Sequence, residues 1–160
     1  VITTYAIAST NSPLDNIQIL KNPKTYKEIP FIDFEGNEIN LKEEKSKVFI
    51  LNFWATWCKP CIDEMPSLDK LHAMNHIRVF PINIEKKNLK KTDKFFKELN
   101  IKNLSIYFDT NNKLVKLFNL RGVPTTIILN ENKDEIARII GSGNFTDKKF
   151  IEWLNEFQNK

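Results

Sequence analysis

Val48–Ala55 (VFILNFWA) is a nearly unbroken apolar run, and after Thr56 and Trp57 the chain reads Cys58-Lys59-Pro60-Cys61. A strand with one wet face alternates apolar and polar residues. A continuous run of this length instead predicts a central parallel strand covered on both faces. From Pro60 to about Met74 the apolar residues Ile62, Met65, Leu68 and Leu71 fall at helical spacing, with Pro66 inside as a kink. Ile77–Ile84 then forms a second buried strand despite Pro81. Strand, helix and strand in this order imply two parallel strands joined by a right-handed crossover.

The remaining pattern builds around that unit. Phe31–Phe34 and Glu38–Leu41 flank a Glu35-Gly36-Asn37 turn and read as a hairpin. Leu89–Leu99 reads as a lysine-rich amphipathic helix with Phe95, Phe96 and Leu99 inward. Leu104–Asp109 reads as a short strand and Lys113–Phe118 as a short helix. Thr125–Asn130 and Glu135–Ile140 form a hairpin around Glu131–Asp134. Thr146–Phe157 closes the chain as a helix with Phe150, Trp153, Leu154 and Phe157 on one stripe. The expected fold class is α/β, a single central mixed sheet flanked by helices with an N-terminal β-hairpin extension. Residues 1–27 are polar, carry Pro13 and Pro23 and show no period, so they read as an extension or linker before a domain over residues 28–160.

Length and charge narrow the function. At 160 residues one domain is expected, burying about two-thirds of its unfolded surface. The net charge is +4, but only Arg78, Arg121 and Arg138 among the 24 basic residues are arginine. Lysine without arginine forks or interleaved aromatics is poor equipment for reading nucleic acid, and no nucleic-acid partner is expected. The run Lys86, Lys87, Lys90, Lys91, Lys94 and Lys97 reads as a solvated helix face, with a docking face for an acidic partner or anionic lipid as the alternative. No stretch approaches the ~18 consecutive apolar residues of a membrane span. The chain begins at Val1 rather than methionine, from which we expect an upstream segment to have been removed. Ala6-Ile7-Ala8 resembles the small-residue end of a signal peptide.

The two cysteines are three positions apart, and a bridge closing so small a loop contributes about 2 kcal/mol at most. Their placement suits chemistry better than stapling. Cys58 falls near a helix N-terminus, where unpaired N–H groups and the macrodipole favour a thiolate. Lys59 adds a positive charge, and Pro60 in the first turn costs no hydrogen bond. Cys61, one turn later and more buried, can attack a mixed disulfide formed at Cys58. A CxxC at a strand–helix junction is a redox signal. Cys58, Cys61, His72 and His76 superficially mimic zinc ligation, but on one helix His72 lies about 16 Å from Cys61. The histidines read instead as a helix-surface residue and a loop residue, and no metal is expected.

Phe53-Trp54-Ala55-Thr56-Trp57-Cys58-Lys59-Pro60-Cys61 followed by Glu64-Met65-Pro66 resembles the thioredoxin superfamily. More closely it resembles the TlpA/ResA-type thiol-disulfide oxidoreductases that bacteria keep outside the cytoplasmic membrane. The Pro30-Phe31-x-Asp33 and Glu35-Gly36 hairpin and Arg121-Gly122-Val123-Pro124-Thr125 resemble the same branch. The resemblance runs from about Glu28 to the C-terminus and implies a thioredoxin fold. It implies a cis-proline at Pro124 facing the CxxC, with a plain trans turn as the alternative, and a substrate-binding segment Val123, Pro124 and Thr125. Val123 would offer its backbone to an extended client chain. Trp57, Lys59 and Pro60 complete the active-site loop, and Pro66 is the kinking proline of its helix.

Two departures from thioredoxin stand out. Asn52 occupies the place of a buried aspartate six residues before Cys58, and an amide cannot shuttle protons. Glu64, three residues after Cys61, matches an acid that the ResA-like branch places beside its active site. A partly buried carboxylate there can take the proton from Cys61, whereas a surface glutamate in the first helical turn is the plainer alternative.

The sequence therefore reads as a dithiol–disulfide oxidoreductase with Cys58, Cys61 and Glu64 as its catalytic residues and no cofactor beyond the redox-active disulfide Cys58–Cys61. The resemblance implies a periplasmic or otherwise extracytoplasmic location, with a membrane anchor or a cleaved signal as the alternatives for the removed N-terminal segment, and a monomer is expected. It would reduce client proteins, such as those of cytochrome c biogenesis or oxidase assembly, and be re-reduced by a membrane-bound partner. The rivals are a disulfide oxidase or isomerase with the same site and, from another class, a copper(I) metallochaperone binding between the two thiolates. A peroxidase reading lacks the residues that position peroxide around one cysteine.

Overall fold

Burial of every residue from Val48 to Trp54 demands strands on both sides and a layer above and below, and the fold supplies all four. The computed structural model describes residues 14–158 and the backbone of a two-residue strand before them. Along the chain run β1 (Tyr5–Ala6), β2 (Ile17–Lys24), β3 (Pro30–Asp33), β4 (Glu38–Asn40) and, after a short 3₁₀ turn, β5 (Val48–Trp54). Then follow α1 (Lys59–His72), β6 (Ile77–Asn83), α2 (Leu89–Glu98), β7 (Tyr107–Phe108) and α3 (Lys113–Leu117). The chain ends with β8 (Thr125–Leu129), β9 (Glu135–Ile140) and α4 (Lys148–Gln158). The strands form one mixed sheet in the order β1-β2-β9-β8-β5-β6-β7-β3-β4. β5 is parallel to β6 and antiparallel to β8, while β3 and β4 form the expected hairpin at the far edge.

Alternation along β5 divides the core. Val48, Ile50 and Trp54 point to the layer of α1, α2 and α4, where Leu68, Phe96, Phe150 and Leu154 are buried. Phe49, Leu51 and Phe53 point the other way, against Leu114 and Phe118 around α3. Trp54 lies against Phe95 and Phe96, with ring centroids 4.9 and 5.6 Å away, which fixes α2 next to the end of β5. By the same alternation Asn52 faces α1.

Three expectations change. Ile17–Lys24 is a strand hydrogen-bonded to β9, so the boundary placed after residue 27 falls beyond a strand of the same sheet. Its Pro23 and polar residues hid it, because burial is confined largely to Ile17 and Leu20. Ile7 and Ala8 of the signal-like tripeptide lie outside the described residues. The strand read over Leu104–Asp109 shrinks to Tyr107–Phe108, because the N–H groups of Lys102, Asn103 and Leu104 donate to the Asp69 carboxylate on α1 instead of to a ladder. His72 is half-buried rather than on the helix surface. Its Nδ1 accepts the Val79 N–H at 2.9 Å, and burial with the nearby Arg78 pushes its pKa down. On α2, Lys91, Lys94 and Lys97 are paired with Glu85, Glu98 and Asp93, as a solvated face requires.

Candidate active site

The site grows from the C-terminal end of β5. The Cys58 N–H donates to the Ala55 carbonyl at 3.2 Å, turning the chain sharply, and Cys58 becomes the N-cap of α1. Its Sγ accepts the Cys61 N–H at 3.3 Å, and Pro60 occupies the first turn, where no N–H is needed. Cys58 and Cys61 are joined as a disulfide with Cα atoms 5.3 Å apart. Cys58 retains 4% exposure and Cys61 none, so any incoming group meets the Cys58 sulfur first. Trp57, 70% exposed, stands beside it. The Lys59 ammonium reaches out to Asp63 at 2.9 Å, one turn along α1. When the bond is reduced, the helix N-terminus favours a thiolate at Cys58.

Register brings the second segment to the same end of the sheet. Thr125 pairs with Phe53 on β5 and with Ile140 on β9, so residues 122–124 lead into β8 next to the turn that carries the cysteines. The Val123–Pro124 bond is cis. Thr125 Oγ1 donates to the Gly122 carbonyl at 2.7 Å, and the Gly141 N–H donates to the Pro124 carbonyl at 2.9 Å, which ties the loop down on both sides. Val123 is half-buried and precedes the ladder.

Glu64 is buried on the face of α1 that carries Cys61, one turn away. Its Oε1 accepts from Asn52 Nδ2 at 2.8 Å and its Oε2 from the Gly143 N–H at 3.1 Å. Burial raises its pKa to about 7, against the lowering effect of those two hydrogen bonds. Asn52 Nδ2 also donates to Thr126 Oγ1 at 3.0 Å, so one amide links β5, α1 and β8, while its Oδ1 is buried without a partner among the described residues.

With this geometry the kinship becomes concrete, since residues 22–137 match the AhpC/TSA family. The chain belongs to that family. Within AhpC/TSA it is 30% identical over 125 residues to the thiol-disulfide oxidoreductase ResA of Halalkalibacterium halodurans, covering 76% of this chain and 69% of that protein. It is 29% identical over 112 residues to ResA of Bacillus cereus, 68% of this chain and 64% of that one. The chain thus spans about two-thirds of the length of these relatives. Among solved structures, StoA from Bacillus subtilis superposes with a TM-score of 0.63 at 25% identity, over 84% of this chain and 98% of that chain. The exposed lipoprotein thioredoxin Etrx1 from Streptococcus pneumoniae gives 0.66 at 21% identity, over 81% and 98%. The architecture is the thioredoxin fold.

Sequence reasoning missed two supports of this AhpC/TSA site. Glu85, just after β6, accepts the Thr56 N–H at 2.8 Å, the Thr56 hydroxyl at 2.9 Å and Asn83 Nδ2 at 3.0 Å. Burial acts to raise its pKa, but these bonds and Lys91 together hold it below the ordinary value. It clamps the turn two residues before Cys58. Gly143 is the other support, and no local pattern marks a loop glycine as the donor to a helix carboxylate 79 residues earlier. His72 and His76 stay away from the cysteines, and among the described residues no cluster of three or more His, Cys, Asp or Glu is arranged to hold a metal.

Proposed function

We propose that the chain is an extracytoplasmic dithiol–disulfide oxidoreductase that reduces disulfides in client proteins. The observation that carries this reading is the disulfide whose less buried sulfur caps a helix next to a cis-proline loop, with a buried carboxylate one turn behind its partner. In the reduced protein the Cys58 thiolate attacks a client sulfur. A Cys58–client bond forms, the client S–S bond breaks, and the departing client thiolate takes a proton from water. Glu64 then accepts the proton of Cys61, and the Cys61 thiolate attacks the Cys58 sulfur. The Cys58–Cys61 bond forms and the second client thiolate leaves, so two electrons pass from protein to client.

Each remaining residue has a place in that sequence. Val123 and Thr125 bracket Pro124, and an extended client segment lies along Val123 by backbone hydrogen bonds. Trp57 and Pro60 shape the lip around Cys58, and Lys59 with Asp63 keeps that lip polar. With a pKa of about 7, Glu64 is poised to hold or release a proton near neutrality. No cofactor enters these steps. From the resemblance of its active-site motif to the TlpA/ResA-type proteins we extend the reading to clients in cytochrome c or oxidase assembly, re-reduction by a membrane-bound partner, and a membrane-anchored monomer.

Direction is the point to test, because stabilising the Cys58 thiolate also makes the couple more oxidising. A redox titration followed by Trp57 fluorescence, run beside insulin reduction and scrambled-ribonuclease assays, separates the readings. A potential near that of thioredoxin with insulin turnover supports the reductant. A potential near that of strong periplasmic oxidants, with ribonuclease reactivation and no insulin turnover, reverses the direction.

A further inference from the structure

A groove of about 970 Å³ opens on the far side of the Val123–Pro124 loop, between that loop and the ends of β2 and β9. Its place follows from the topology. Arg138 and Ile140 project from β9 toward the α3 side of the sheet, and the segment from Phe118 to Pro124 forms the opposite wall. The apolar part of the lining is Leu120, Val123 and Ile140, the last 48% exposed. Its charged lining has one sign, namely Lys24, Arg121 and Arg138.

These three cations are not equivalent. Arg138 is committed to the structure: Nε and Nη2 donate to Glu135 at 2.7 Å, and Nη1 donates to the Phe118 carbonyl at 2.8 Å. It therefore fixes the start of the 118–124 wall, and Glu135 balances its charge. Lys24 and Arg121 are exposed, and among the described residues neither forms an ion pair. The Lys24 ammonium lies 5.2 Å from the Tyr26 ring, and Tyr26 in turn donates to Glu135. Among the described residues the groove thus presents two cations without an ion-pair partner, Lys24 standing opposite Glu135 in the β2–β9 register, above an apolar floor that adjoins the segment against which a client chain would lie.

We propose that this groove selects clients by an acidic side chain flanking their cysteine, its carboxylate meeting Arg121 and Lys24 while an apolar neighbour rests on Leu120, Val123 and Ile140. This rests on the oxidoreductase reading. An extended chain bonded along Val123 directs alternate side chains to one face about 7 Å apart, a spacing that carries the residues beyond the reacting cysteine over the groove. Charge at such a rim acts mainly on the rate of encounter and on partner choice.

The test uses the Cys61→Ser protein and two peptides, each with one cysteine activated as a 2-pyridyl disulfide. The peptides are identical except that flanking glutamates in one are glutamines in the other. The Cys58 thiolate attacks the peptide sulfur, a mixed disulfide forms as the peptide–pyridyl S–S bond breaks, and the departing pyridine-2-thiolate takes a proton from water to become thiopyridone, whose absorbance gives the rate. At low salt we expect the acidic peptide to react about fivefold faster, the advantage shrinking as salt rises. Arg121→Glu and Lys24→Glu should each lower that ratio to about one or below. Lys149→Glu makes the same charge change on α4, on the opposite face of the sheet, and should leave the ratio unchanged. A ratio of one in the unmodified groove overturns the assignment, and so do equal shifts from Arg121→Glu and Lys149→Glu, which would make the preference one of net charge. Release from neither peptide overturns the oxidoreductase reading, and the groove assignment with it.

Discussion

Replacing Glu64 by glutamine probes the least ordinary group in the molecule. The carboxyl is buried against Asn52 and Gly143, and its pKa stands at about 7 against an ordinary 4.5. That displacement corresponds to about 3 kcal/mol between the two protonation states. The folded chain holds a proton here that the unfolded chain has already lost once the pH passes 4.5. Stability from this group is therefore intact below pH 4.5, falls as the pH climbs to about 7 and levels off beyond. Glutamine cannot titrate, and it keeps the acceptor for Gly143. The Asn52 amide can turn over so that its unpartnered Oδ1 accepts from the new amide. Urea unfolding of the disulfide form of both proteins at a series of pH values isolates the effect, since all other groups cancel in the difference. The variant should gain about 3 kcal/mol relative to wild type between pH 4.5 and pH 8. Its disulfide turnover should fall by about a hundredfold near neutrality, the defect shrinking at alkaline pH where Cys61 ionises unaided. A stability difference that is flat with pH would mean that Glu64 titrates like a surface glutamate and carries no raised pKa.

Other perturbations address the supports. Asn52→Asp sets a second buried carboxylate within hydrogen-bond distance of Glu64, and thermal melts should show at least about 2 kcal/mol more destabilisation at pH 8 than at pH 5. Glu85→Ala leaves the Thr56 N–H and hydroxyl without their acceptor. We expect unchanged far-ultraviolet circular dichroism and about a tenfold fall in the rate at which reduced Cys58 reacts with a model disulfide, followed by stopped-flow. Glu135→Ala removes the carboxylate that pairs with the buried Arg138 guanidinium and should cost about 3–5 kcal/mol in denaturant unfolding, with less lost when both residues are replaced by leucine.

Much of this was legible in the sequence because it depends on local pattern. The unbroken run at Val48–Ala55 gave the central strand, and Pro60 with the spacing of Met65, Leu68 and Leu71 gave α1 and the capping position of Cys58. What stayed hidden depends on long-range pairing. The β2 strand buries few of its side chains and is defined by its partner β9, so neither alternation nor an apolar run marks it. Asn52 was visible as a departure from thioredoxin, but its place on the α1 face follows only once the packing of β5 is known. Its bonds to Glu64 and Thr126 need the register of three elements. Glu85 sits in a turn, where periodicity says nothing about which N–H groups a carboxylate will gather. The Lys59–Asp63 pair, four residues apart on α1, is a local contact that the helical reading of this stretch already allows.

Everything in this chemistry depends on a division of labour between the two cysteines. It is tested most directly by mixing reduced Cys61→Ser and Cys58→Ser proteins separately with insulin and analysing the products by non-reducing electrophoresis and mass spectrometry. Cys61→Ser should accumulate a covalent insulin adduct through Cys58, while Cys58→Ser should form none and not turn over. Wild-type turnover by Cys58→Ser, or an adduct through Cys61 at a comparable rate, would contradict that division.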